Sequence, residues 1–196
     1  MAENILTFCT AEVSPEVISQ FIRLSQRTEE SSKIWSVVRD PTERPLGKRT
    51  RTTISPFQTG FLHASHSTLA TFVRSAPQVD PYYFSRNTFA VLDSRSIEDQ
   101  TVVLWTYLVT MPAEIAERGE WDESKKMVEW KDFRVEFSVA CWVVGLLETM
   151  PQVFVEIVEK GQGAQVDGEG VLKVDAPMKE WDLEEEDGST EEEDEA

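Results

Sequence analysis

The chain predicts an α+β protein: a mainly antiparallel sheet built on a central hairpin, packed by amphipathic helices and followed by a disordered acidic C-terminal tail. Three observations carry this reading. Thr88 to Leu92 and Thr101 to Val109 concentrate β-branched and aromatic residues, and the polar segment Asp93 to Gln100 lies between them, the pattern of two strands and a turn. Val17, Ile18, Phe21, Ile22 and Leu24 recur at helical spacing, as do Val153, Phe154, Ile157 and Val158. Glu180 to Ala196 holds eleven acids and no base. Such a run cannot bury enough apolar surface to offset its chain entropy.

In chain order, Val13-Ser-Pro-Glu opens the first helix. Ser14 stands at the N-cap, and Pro15 at the first helical position lacks only an N–H that has no partner there. Val13 is placed to staple onto Ile18. Lys33 to Val38 reads as a short strand, and the spacing of Leu69, Phe72 and Val73 predicts a helix over about Ser67 to Arg74. Pro77 to Arg86 is an extended entry into the hairpin, since each proline holds its predecessor out of helical geometry. Tyr82, Tyr83 and Phe84 cluster there, suited either to the edge of a core or to stacking a planar ligand. After the hairpin, Met111 to Met127 is a long polar excursion with at most a short helix around Ala113 to Arg118. Phe133, Val135 and Phe137 alternate with Arg134 and Glu136, which predicts a third, half-buried strand. Ser138 is placed to cap a buried helix over Val139 to Glu148. Thr149 is placed to cap another, with Gln152 at its third position and its end at Lys160-Gly161.

These elements imply one domain over residues 1–160, a glycine-punctuated linker over 161–179 with a short edge strand at Val171 to Val174, and the acidic tail over 180–196. Taking the tail's −11 from the −17 of the whole chain leaves −6 for residues 1–179, so the acidity is mostly a property of the tail. Nucleic acid is not an expected partner. Cys9 and Cys141 stand far apart with no Cys-x-x-Cys or Cys/His spacing, which signals neither a disulfide framework nor a zinc cage; no cofactor is implied. The first residues lack a basic segment leading into an apolar core, and no apolar run reaches the length of a membrane span. The expected location is cytoplasmic or nuclear, without membrane contact.

Two places have side chains suited to a site. Arg39 to Arg51 is a basic loop, with Arg39, Arg44, Lys48, Arg49 and Arg51 against Asp40 and Glu43. Arg44, Lys48, Arg49 and Arg51 are the residues expected to contact an anion or the chain's own tail; the alternative is a solvated loop with scattered charge. His63 and His66, spaced i and i+3, are a candidate for metal or acid–base chemistry, but a metal needs a third ligand and the sequence indicates none nearby. In the tail, Ser189 and Thr190 each have a glutamate three residues downstream, Glu192 and Glu193, as at acidophilic kinase sites, and are the expected phosphorylation sites.

Asn87-Thr-Phe-Ala-Val-Leu-Asp93, the turn Ser-Arg-Ser-Ile-Glu-Asp-Gln, Thr-Val-Val-Leu, and then Phe133-Arg-Val with Leu146-Leu-Glu and Phe154 resemble the domain of unknown function 6924, a family of bacteria and fungi. The resemblance covers about Tyr82 to Lys160, with Pro112 to Val128 as an insertion. It departs from the family at Thr149 to Val155, where an asparagine-rich turn and paired glutamates are more usual. The family has no assigned activity, so no catalytic or ligand residue comes with it.

Three classes of function follow from the residues. The first is a non-enzymatic interaction or regulatory module, whose acidic tail binds a basic protein partner or shields the basic loop. The second is an enzyme using His63 or His66, with Asp93, Arg86 or Arg95 near the hairpin end. The third is a binder of a small phosphate ligand at residues 39–51. No nucleophile elbow, metal motif or telling pair of carboxylates supports the second, and the first explains most of the chain.

Overall fold

In the computed structural model, residues 3–26, 33–110, 126–161 and 164–174 are described. The tail over 180–196 with Ser189 and Thr190, and the helix expected around Ala113 to Arg118, lie outside them.

The run Ile5 to Cys9 forms β1 (Asn4–Cys9), second from one margin of the sheet and buried along its whole length. β2 (Trp35–Val38) and β3 (Phe84–Leu92) pair with it on either side, both parallel to it. β4 (Thr101–Thr110) and β5 (Met127–Glu136) continue antiparallel. Of the last two strands, β6 (Ala164–Val166) and β7 (Val171–Val174), β7 pairs parallel with β5 and β6 antiparallel with β7. The order is β2-β1-β3-β4-β5-β7-β6. The α+β class holds, and the sheet is mixed: its centre, β3-β4-β5, is antiparallel as the hairpin predicts, with parallel pairs on both sides. Val171 to Val174 is a strand, but an inner one. The segment Ala164 to Val174, expected as a linker, therefore belongs to the sheet, and β6 is the edge.

Alternation along the strands divides the core. Ile5, Leu92, Leu104 and Val135 point to one face, where α1 (Pro15–Ser25) and the later helices α4 (Ala140–Thr149) and α5 (Pro151–Lys160) cover them; Phe21, Phe137, Val143 and Phe154 fill this layer. Leu6, Phe8 and Phe89 point to the other face, against α2 (His66–Ser75) and Phe61. Between β3 and β4, α3 (Ser94–Asp99) occupies what the sequence predicts as the hairpin turn. Its cause is local: Asp93 accepts the Ser96 N–H at 3.1 Å, Ser96 Oγ accepts the Asp93 N–H at 3.0 Å, and this reciprocal cap turns the polar stretch into helix.

Caps elsewhere are mixed. Ser14 accepts the Val17 N–H at 3.4 Å as expected, and Gly161 ends α5 at φ +64°. Ser138 lies instead in a 3-10 turn, Phe137–Val139, ahead of α4. Thr149 caps nothing, because its hydroxyl donates back to Gly145 O at 2.7 Å, while Met150 takes the N-cap position of α5 and Pro151 follows. At the other margin of the sheet, the basic loop runs beside β2: the Thr50 N–H donates to Trp35 O at 2.8 Å, and Thr50 Oγ1 accepts the Val37 N–H at 2.8 Å. No single helix among the described residues is long and apolar enough to cross a membrane.

Candidate functional site

Where β1 and β3 begin, the basic loop and the aromatic entry to the hairpin face each other across a cleft of about 420 Å³ lined by Lys48, Arg49, Gly47, Tyr82, Tyr83 and Asn4, with Glu3 and Pro81 at its margin. Asn4 is its keystone and is 8% exposed. Its amide nitrogen donates to Gly47 O at 2.8 Å and to Tyr83 O at 3.1 Å, so it ties one wall to the other. Its amide oxygen accepts from Arg49 Nε at 3.0 Å. That bond uses the inner edge of the guanidinium and leaves its two terminal nitrogens to meet an anion in a fork. Gly47 is required by the same geometry: it sits at φ +76°, and a Cβ there would stand 2.9 Å from Tyr82 O. The aromatic cluster divides at this point, with Phe84 fully buried in the core while Tyr82 and the exposed Tyr83 line the cleft. Two cations thus oppose one carboxylate, Glu3, whose carboxyl is pushed up by partial burial and then by the nearby Glu148.

The opposite end of β1 has a second crevice. There the chain leaves β1 for the turn ahead of α1, and residues 56–62 pass beside it. A crevice of about 550 Å³ opens there, lined among others by Glu12, Ser14, Phe57, Gln58, Thr59 and Leu62. Its chemistry is sparse. Thr59 Oγ1 donates to Cys9 O at 2.7 Å, and burial pushes the Cys9 thiol up to about 12, far from a thiolate.

The residues of the enzymatic reading do not converge. The His63 side chain is exposed and precedes α2, its backbone at φ +56° with the N–H on Thr10 O. His66 opens α2 and stacks on Trp105, with ring centroids 3.8 Å apart and planes within 14°. The two histidines therefore share no helix face, because the helix begins only at the second. Asp93 binds Arg134 and caps α3; burial raises its carboxyl, but the Arg134 guanidinium and the bonds from Ser96 outweigh that and leave it lowered. Arg95 pairs with Asp99 at 2.8 Å, and Arg86 donates to Ala76 O at 3.1 Å. Among the described residues no three His, Cys, Asp or Glu side chains gather as a metal site would need.

Of the four basic residues expected to act together, the fold brings two to the cleft. Arg44 lies apart, donating to Pro41 O at 3.0 Å with its guanidinium 6.0 Å from the Phe72 ring centroid, and Arg51 is exposed beyond the cleft lining. Asn4 and Gly47 escape sequence reasoning. The only signal is a polar residue at the head of an apolar run for Asn4 and a Pro-Leu-Gly turn for Gly47. Compared with protein-family models, curated proteins and solved structures, the chain finds no match.

Proposed function

We propose that the protein is a non-enzymatic interaction module, in which the cleft between Lys48-Arg49 and Tyr82-Tyr83 receives an acidic chain segment and the acidic tail engages a basic protein partner. The observation that carries this reading is the anchoring of Arg49. A guanidinium on an exposed loop ordinarily loses much of its binding energy to its own freedom, and an ion pair there contributes about 0 to 1 kcal/mol. Here Asn4 fixes Nε from below, which lowers the ordering cost and aims the fork outward. The tyrosines beside it give an acidic segment amphipathic surface to lie on. The volume, about 420 Å³, fits a few side chains or one small ligand. A phosphate-bearing ligand would meet the same cations, which keeps the third reading of the sequence as its alternative.

A glutamate-rich decapeptide titrated into the protein and followed by heteronuclear NMR tests the site. The resonances of Gly47, Lys48, Arg49 and Tyr83 are expected to move together, less at high salt, and to stay still in Lys48→Glu. Movement confined to another surface would remove the cleft as the recognition site.

A further inference from the structure

We propose that the occupant of the cleft in the free protein is the chain's own acidic tail, residues 180–196, so that a basic partner of the tail and an acidic partner of the cleft must each separate the two. This rests on the reading of the cleft given above. Charge is the first argument: the tail has eleven acids and no base, while the cleft presents Lys48 and Arg49 against Glu3.

Reach is the second. β7 runs parallel to β5, and β5 lies two antiparallel steps from β3, so Val174 leaves the sheet at the end opposite the cleft. Four strand spacings of about 4.8 Å separate β7 from β1, and the six residues of β1 add about 20 Å of height. The straight separation is therefore about 28 Å. Residues 175–191 alone extend to about 56 Å at 3.3 Å per residue, enough to round the sheet and place Glu191 to Glu195 at Lys48 and Arg49.

Tethering is the third. A tether of this length holds its end at an effective concentration on the order of 1 mM. If the same segment binds in trans with a dissociation constant of about 100 µM, the closed form outweighs the open about tenfold.

The test uses the full chain and a fluorescent peptide with the sequence of residues 180–196, read by anisotropy at low salt. Three proteins are compared: wild type; a tail-neutralised chain with Glu191→Gln, Glu192→Gln, Glu193→Gln, Asp194→Asn and Glu195→Gln; and that chain with Lys48→Glu added. Lys48 is exposed and outside the bonds that hold the loop, so this variant keeps the fold. The tail-neutralised chain is expected to bind the peptide about tenfold more tightly than wild type, and Lys48→Glu to abolish the gain. Equal affinity for wild type and the neutralised chain, lost with Lys48→Glu, would overturn the tail as occupant and leave the cleft standing. No binding to any of the three would overturn the cleft and the inference together.

Discussion

Asn4 uses its whole side-chain amide inside the molecule, on Gly47 O, Tyr83 O and Arg49 Nε. Replacing it by alanine leaves the buried Gly47 O without its donor, while Tyr83 O keeps the backbone N–H of residue 4, so Asn4→Ala is expected to cost about 1 to 3 kcal/mol of stability, measured by urea unfolding. The same change frees Arg49, so peptide affinity should fall even under conditions where the variant is fully folded. A loss of stability with unchanged affinity would separate Asn4 from the site. Lys48 and Arg49 are legible in the sequence because charge density in a proline-containing segment is a local property. Asn4 is not, since its partners stand 43, 45 and 79 residues away and no periodicity encodes them. His66 misleads for the opposite reason: its spacing from His63 is local, but its environment is set by Trp105 on β4.

Among the elements, α3 depends most on one electrostatic contact. Asp93 caps it, and the same carboxylate holds Arg134 of β5, whose side chain is 12% exposed and also donates to Thr101 Oγ1 at 2.8 Å. Asp93→Ala removes a cap, costing about 1 kcal/mol, and leaves a largely buried guanidinium with less compensation, so the total is expected at about 2 to 3 kcal/mol in a urea titration. The pH dependence has a definite sign. The Asp93 carboxyl is lowered in the folded state, so its contribution is present above the unfolded value of about 3.9 and is lost as pH falls through the folded value. Unfolding followed from pH 5 to pH 2 should thus show a steeper loss of stability in wild type than in Asp93→Asn; parallel curves would count against it. The hairpin, the third strand and four of the helices are legible because each has one buried face and a matching period. β1 is not, since helices cover both its faces and the resulting run Ile-Leu-Thr-Phe-Cys has no alternation to reveal it. α3 hides for another reason: a polar octapeptide between two strands reads as a turn unless the Asp93–Ser96 exchange is known.

For the whole molecule, the apolar layers close within the described residues, and the tail joins them only through charge in the arrangement proposed here. Removing residues 180–196 is expected to keep unfolding as a single cooperative transition. At low salt the midpoint should drop by about 3 to 6 °C, the effect of losing a tenfold closed state, and at high salt the difference should vanish. Broad, non-cooperative unfolding without the tail would show that it contributes to the core. Phosphorylation at Ser189 and Thr190 acts on the same balance. Each phosphate adds about −1.5 to −2, so incubation with an acidophilic kinase, mapped by mass spectrometry, is expected to modify one or both and to weaken peptide binding in trans. Absence of phosphate on both residues would refute this.

The loop that presents Lys48 and Arg49 also runs beside β2, with Thr50 bonded to both Trp35 and Val37. Unpaired strand margins template the addition of foreign strands, and β2 is a wholly buried Trp-Ser-Val-Val run. Recognition and colloidal stability are therefore coupled in one short segment. A ligand that steadies the loop is expected to lower any self-association through β2, and a change that lifts Thr50 away from β2 to raise it, as light scattering would read.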